Sequence, residues 1–321
     1  MNIVVIDGFT LNPGDLSWAG FEVLGRCTIY PRTAPEQVIE RCVGADVVLT
    51  NKVVFSDEVL AQLPRLKYLG VLATGYNVVD VAAAERRGIA VTNIPAYGAQ
   101  SVAQFVFAQI LQWAQPVHYY AETVKAKRWQ QSADFCYYDH SMIELAGKTL
   151  GIIGFGAIGK KVAQIALGFD MQVLIHTRTP PASLPEGMDC VDLTDLAKNS
   201  DIISLHCPLT SANERFINAA FLNAMKVSAY LINTGRGPLI DETALFDAID
   251  QKRIAGAALD VLSVEPPQAD HTLFKLPGCV VTPHIAWATL EARQRLMGIA
   301  VDNLSAYLLK HRKNRLDGTQ E

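Results

Sequence analysis

Three side chains in this sequence are of the types that place a proton on an oxygen beside a carboxylate. Arg236 stands in Asn233-Thr234-Gly235-Arg236-Gly237, after the apolar run Tyr230 to Ile232. Glu265 follows Leu259-Asp260-Val261 and precedes Pro266-Pro267. His284 follows Val280-Val281-Thr282-Pro283. A guanidinium offers parallel N–H groups that match a carboxylate. An imidazole titrates near neutrality and can give or take a proton. A carboxylate on its other ring nitrogen fixes its orientation and favours the charged form. Together the three suit addition of a hydride and a proton to the carbonyl of a 2-keto acid. Arg236 would grip the carboxylate, His284 would donate the proton and Glu265 would orient His284. Taken singly, each has a plainer reading as a surface charge, a capping histidine or a loop group. Their shared placement after apolar runs groups them, because sites in open α/β sheets lie outside the carboxyl ends of strands.

A hydride needs a donor, and residues upstream point to one. Gly154-Phe155-Gly156-Ala157-Ile158-Gly159 matches G-x-G-x-x-G, directly after the apolar run Thr149 to Ile153 and at the start of a helical pattern. In that setting the motif predicts a dinucleotide site. Gly154 permits a tight turn, Gly156 lets the backbone approach a pyrophosphate, and Gly159 lets the helix pack close to the strand. The helix N-terminus offers N–H groups and a positive dipole end to the phosphates. An NAD site commonly carries an acid about 20 residues further on, to hold the ribose 2′-OH. Here Thr177-Arg178 stands after the second strand. Thr can hydrogen-bond a 2′-phosphate and Arg can pair with it. The expected cofactor is NADP(H) or NAD(H), leaning to NADP(H); a solvated Arg178 with NAD(H) bound is the alternative.

Positioning these groups requires a sheet, and the sequence supplies the strands. Apolar runs lie at Ile3 to Ile6, Val47 to Leu49, Tyr68 to Leu72 and Ile89 to Val91, with helix-like segments between them, such as Pro35 to Val43 and Val78 to Arg87. Gly88 reads as a helix stop. A second series runs through Thr149 to Ile153, Gln172 to Ile175, Ile202 to Leu205, Tyr230 to Ile232, Ala255 to Leu259 and Cys279 to Val281. Six such strands with helices between them is the number in a dinucleotide-binding domain. Long helices are predicted from Ala99 to about Lys125 and from about Leu290 to His311, the latter with apolar Leu296, Ile299, Leu304 and Leu308. The fold class is α/β: two Rossmann-like or flavodoxin-like parallel-sheet domains with a cleft between them. Residues 1–98 with 289–321 form the expected substrate domain, and 99–288 the inserted dinucleotide domain.

Composition removes other classes. An apolar fraction of 50% with 19% charged residues describes a globular chain. Lys+Arg 28 against Asp+Glu 32, with no basic patch, argues against a nucleic-acid partner. No apolar run reaches the roughly 20 residues of a membrane span. The start, Met1-Asn2-Ile3-Val4-Val5-Ile6-Asp7, reads as a strand rather than a leader, which predicts a cytoplasmic protein. Cys27, Cys42, Cys136, Cys190, Cys207 and Cys279 form no C-x-x-C pair, so buried free thiols are expected, with no metal site.

On these motifs the sequence resembles the D-isomer-specific 2-hydroxyacid dehydrogenases over almost its whole length. The carriers are Thr149 to Gly159, His206-Cys207-Pro208-Leu209-Thr210, Asn233 to Pro238, Asp260-Val261 with Glu265-Pro266, and Thr282 to Ala286. The resemblance implies catalytic roles for Arg236, Glu265 and His284. It places Thr234 and Asp260 near the nicotinamide and His206, Cys207 and Pro208 along the cofactor. Within the family the chain is most similar to the glycerate dehydrogenase or hydroxypyruvate reductase branch, through Thr50 to Val53, Ala73 to Asp80 and Ala286-Trp287-Ala288. That branch implies a substrate site of Lys52, Thr74, Gly75, Arg236 and Trp287, a small 2-keto or 2-hydroxy acid as substrate, and a homodimer. Aromatic residues between His118 and Met142 could serve as its docking arm or could pack on their own domain. D-Lactate or phosphoglycerate dehydrogenases, and the corepressors that share this fold as nucleotide-sensing binding proteins, are the alternatives. Formate dehydrogenases of the family carry Gln where Glu265 stands, which argues against them.

Overall fold

The structure is a computed structural model that describes residues 1–316 and Gly318. The chain divides into two compact units, one of Met1–Gly98 with the segment from Ala288 onward, the other of Ala99–Trp287.

The first unit is built on a five-stranded parallel sheet of β1 (Asn2–Val5), β2 (Arg26–Ile29), β3 (Val47–Thr50), β4 (Tyr68–Val71) and β5 (Ala90–Thr92), in the order β2-β1-β3-β4-β5. Strand order reverses between β1 and β3, so the loops after these strands diverge and leave room at their carboxyl ends. β2 was not among the expected strands. It is an edge strand, half-buried and exposed in turn, and so carries no apolar run. The helix Val81–Arg86 starts later than expected because Asp80 caps it, its side chain accepting the Ala83 N–H. Gly88 ends the turn at φ +69°. The helix Leu290–Leu308 buries Leu296, Ala300 and Leu304, while Leu308, expected on the apolar face, is exposed. Arg293 on that helix is buried and grips Asp15 with two bonds of 2.6 Å.

The second unit holds seven parallel strands: β6 (Thr149–Ile153), β7 (Gln172–His176), β8 (Met188–Cys190), β9 (Ile202–Leu205), β10 (Tyr230–Asn233), β11 (Gly256–Leu259) and β12 (Cys279–Val281). Their order is β12-β11-β10-β9-β6-β7-β8. Successive residues feed opposite faces: Ile203, Leu231 and Leu259 pack into one apolar cluster, and Ile202, Ile232 and Ala258 into another. Burial on both faces is why these strands read as unbroken apolar runs. β8, an outer strand with two of its three residues exposed, carries no such run and was not expected. The single helix expected from Ala99 to about Lys125 is two, Ala99–Ala114 and Val117–Lys125. Pro116 stands between them; it lacks an N–H and pushes the residue before it out of helical geometry.

The cysteine expectation needs correction. All six are free, but only Cys42 is buried, whereas Cys136 and Cys190 are exposed. No helix among the described residues is long and apolar enough to cross a membrane.

Candidate active site

Register brings the chemistry-bearing loops of the second unit side by side. Asn233 of β10 pairs with Leu259 of β11, and Leu259 with Val281 of β12. Adjacent strands lie roughly 4.8 Å apart, so the loops after them, carrying Arg236, Glu265 and His284, are neighbours at one sheet edge.

Glu265 and His284 touch. Oε2 of Glu265 lies 2.6 Å from Nδ1 of His284, and Oε1 accepts the Leu262 N–H at 3.0 Å. Nε2 of His284 makes no hydrogen bond among the described residues, so the ring is held by one nitrogen and presents the other. The His284 backbone sits at φ +55°, a left-handed conformation that costs an L-residue about 1–2 kcal/mol. Asp260 holds it there. Its carboxylate accepts N–H bonds from Ile285 at 2.9 Å and Ala286 at 2.8 Å and the Thr282 hydroxyl at 2.7 Å. Asp260, expected beside the nicotinamide, has its carboxyl engaged by the His284 loop. Burial at 1% exposure pushes its pKa up, against the opposing pull of those backbone donors. Trp287 closes the loop, its Nε1–H donating to the His284 carbonyl at 2.9 Å.

Arg236 is half-buried. Its Nη1 donates to the Gly235 carbonyl at 2.8 Å, and its other N–H groups carry no partner among the described residues. Asn233 stiffens the turn by accepting the Gly235 N–H and donating to the Arg236 carbonyl.

The glycine loop has the shape of a dinucleotide cradle. Gly154 adopts φ +97°, and a Cβ there would fall 2.5 Å from the Cys207 nitrogen. Gly159, expected to clear the strand, chiefly clears the loop itself: a Cβ would meet the Gly154 carbonyl oxygen at 2.2 Å. At Gly156 a Cβ would meet nothing within 4 Å. The helix Ala157–Leu167 starts at Gly156 with no side-chain cap. That end therefore offers uncapped N–H groups beside open space, the arrangement a pyrophosphate takes. Phe155 and Ile158 are half-buried and Ala157 is exposed. Thr234 adds a buried hydroxyl with no hydrogen-bond partner, a polar group that a bound ligand would satisfy. These residues fit a dinucleotide.

His206 and Cys207 follow β9, next to β6, at the place where strand order reverses. His206 bonds the Ser204 hydroxyl at 2.9 Å, and burial pushes its pKa down, so the ring is neutral. Burial pushes the Cys207 thiol up, partly offset by the charge of Arg178. Arg178 follows β7, the neighbour of β6, and is exposed; Thr177 beside it is half-buried, and Pro208 is exposed.

The remaining expected residues lie in the first unit. Lys52 follows β3, and the Asn51, Lys52 and Val53 N–H groups donate to the Asp7 carboxylate, that of Lys52 at 2.6 Å. Asp7 was not singled out from the sequence. The acid at the end of the first apolar run was legible, but its place beside β3, where strand order reverses, was not. Thr74 donates its hydroxyl to the Ile94 carbonyl at 2.7 Å. The backbone N–H groups of Thr74 and Gly75 make no hydrogen bond among the described residues.

Comparison with known proteins decides the family. The family model of the D-isomer specific 2-hydroxyacid dehydrogenase NAD binding domain matches residues 107–286. The chain belongs to the D-isomer specific 2-hydroxyacid dehydrogenases. It is 45% identical to a hydroxypyruvate reductase of Blautia hydrogenotrophica over 96% of this chain and 97% of that protein. It is 42% identical to a glycerate dehydrogenase of Methylorubrum extorquens over 85% of this chain and 86% of that one. Among solved structures, an NADPH-dependent glyoxylate/hydroxypyruvate reductase of Sinorhizobium meliloti in complex with NADP and malonate is similar with a TM-score of 0.80. Its sequence identity is 28%, covering 96% of this chain and 93% of that one. The site of this family member takes a nicotinamide cofactor.

Proposed function

We propose that this protein reduces small 2-keto acids, hydroxypyruvate and glyoxylate, to the D-2-hydroxy acids and catalyses the reverse reaction, with NADP(H) preferred to NAD(H). The observation that carries the reading is the 2.6 Å contact between Glu265 and His284, which leaves Nε2 as the proton-bearing atom of a held ring. Arg236 binds the substrate carboxylate through its unengaged N–H groups. His284 donates a proton from Nε2 to the carbonyl oxygen; in the reverse direction the ring takes that proton back. Glu265 orients the ring and stabilises the imidazolium. Asp260 acts through His284, as a positioning residue. The nicotinamide, when bound, supplies the hydride. Gly154 to Gly159 hold the pyrophosphate, with His206, Cys207, Pro208 and Thr234 along the cofactor. In this reading residues 99–288 are the dinucleotide domain and 1–98 with 289–321 the substrate domain, with Lys52, Thr74, Gly75 and Trp287 as substrate-binding residues.

Arg178 and Thr177 support the NADP(H) preference: an exposed guanidinium after β7, with no carboxylate there to repel a 2′-phosphate. The similar hydroxypyruvate reductase and glycerate dehydrogenase support the substrate class. A homodimer belongs to the same reading. Phe135 at 89% exposure and Tyr138 at 71% stand on a braced arm that nothing on the described chain covers, and a second copy is the proposed partner. Cytoplasmic location is consistent with the exposed free thiols Cys136 and Cys190.

The test is loss of the near-ultraviolet absorbance of reduced nicotinamide with hydroxypyruvate, with NADPH and with NADH, in the parent and in Arg178→Asp. Faster oxidation of NADPH that reverses in the variant is expected. NADH preference in the parent would discard the cofactor assignment. No oxidation with either, on hydroxypyruvate, glyoxylate or pyruvate, would discard the reductase reading.

A further inference from the structure

Glu242 opens the helix Glu242–Asp250, on the segment that continues from Arg236. Its carboxylate reaches the separate loop that carries Glu265. Oε1 accepts the Ser263 N–H at 2.7 Å, and Oε2 lies 3.3 Å from Nε2 of His271. The neighbouring N–H, that of Leu262, donates to Glu265 Oε1, and Glu265 Oε2 meets His284. Two carboxylates thus take two successive amides of one turn, which has no ladder partner of its own.

The same place admits no slack. At Gly237, next to Arg236, a Cβ would fall 1.9 Å from the Leu262 carbonyl carbon and 2.4 Å from the Ser263 nitrogen. The backbone after Arg236 is therefore packed against the backbone before Glu265. On the other side, His271 Nδ1 is buried with no hydrogen-bond partner, so Glu242 is the polar contact of that ring among the described residues. His271 is thereby committed to holding the Glu242 carboxylate.

We propose that Glu242 is a positioning residue for the proton-transfer pair. It fixes the Leu262–Ser263 turn so that Glu265 reaches His284, and His271 keeps its carboxylate aimed at that turn. The proposal rests on the assignment of Glu265 and His284 made above. A charge-assisted bond to a backbone N–H suits the task, being shorter and stronger than a neutral one. A displacement of Glu265 by a fraction of its contact distance would weaken its hold on the imidazolium without touching the dinucleotide cradle.

The experiment measures pH profiles of kcat and kcat/KM for hydroxypyruvate reduction, with NADPH affinity read separately by fluorescence titration. Glu242→Ala is expected to lower kcat about tenfold, the scale of a mispositioned catalytic group. It should move the alkaline limb of the profile to lower pH and leave NADPH affinity unchanged. Glu242→Gln, which keeps an oxygen for the Ser263 N–H, is expected to recover most of kcat. Glu242→Asp, one methylene short, reads the same effect should the Ala variant not fold. A wild-type limb and kcat in Glu242→Ala or Glu242→Asp would overturn the proposal. So would a kcat loss that follows NADPH affinity with the limb unmoved, which is general loosening of the fold. Glu265→Gln runs alongside. If it moves the limb and the Glu242 variants do not, this proposal alone falls; if it leaves the limb unmoved, the electrostatic role of Glu265 falls and the proposal with it.

Discussion

Glu265→Gln isolates the charge on the orienting residue while keeping its size. In the parent, Oε2 accepts from His284 Nδ1 at 2.6 Å, and an imidazolium there is stabilised by an opposite charge. Charge centres about 4 Å apart attract by roughly 4 kcal/mol at an effective dielectric constant near 20. The two side chains keep 27% and 34% of their exposure, so solvent screens the pair and roughly 1–2 kcal/mol survives. That is about tenfold in a rate. Reduction needs the protonated ring and oxidation the neutral one. In Glu265→Gln, kcat/KM for hydroxypyruvate reduction should therefore fall about tenfold, with the alkaline limb moved to lower pH. The acid limb of D-glycerate oxidation should move down as well, so oxidation is spared at pH values where reduction is lost. The assay is nicotinamide absorbance in both directions from about pH 5 to about pH 9, the span in which histidine titrates. A lowered plateau with both limbs in place would refute the electrostatic coupling and leave Glu265 a spacer. An unchanged rate would remove it from the site.

His284→Ala should lower kcat at least about a hundredfold, the scale of a lost general acid, with NADPH affinity retained; near-normal turnover would exclude His284 as the proton donor. Arg236→Lys should raise KM for hydroxypyruvate and lower kcat together, since an ammonium cannot reproduce the guanidinium fork, and an unchanged KM would count against carboxylate binding there. The arm carrying Phe135 and Tyr138 is tied by Asp139, which Arg128 and the Tyr119 hydroxyl hold down to about 2. A lowered carboxylate pKa stabilises above the unfolded value of about 3.9 and is lost as pH falls through the folded one. Hydrogen exchange of residues 128–140 should therefore accelerate as pH falls from about 4 to about 2, relative to Asp139→Asn, once the intrinsic rate is corrected. Equal protection across that window would show that the pair does not hold the arm.

Much of this protein is local in origin and legible in one dimension. The glycine loop could be read because tight turns demand particular residues: Gly154 at φ +97° has no substitute with a side chain. The central strands could be read because burial on both faces makes them continuously apolar. Arg236, Glu265 and His284 could be singled out as candidates because loop residues after such strands are where α/β sites lie. Other features have no local signature. The edge strands Arg26–Ile29 and Met188–Cys190 are half solvated and carry no apolar run. Strand order, with β6 beside β9 and β1 beside β3, follows from packing among distant segments, and it alone puts Asp7 under the Lys52 loop. The duties of Asp260 and Glu242 belong to the same class. Each spends its carboxylate on backbone N–H groups of another loop, and a backbone donor has no identity in the sequence. The residue types proposed for the chemistry are written in the chain, whereas the hydrogen bonds that aim them form only when the sheet brings the loops together.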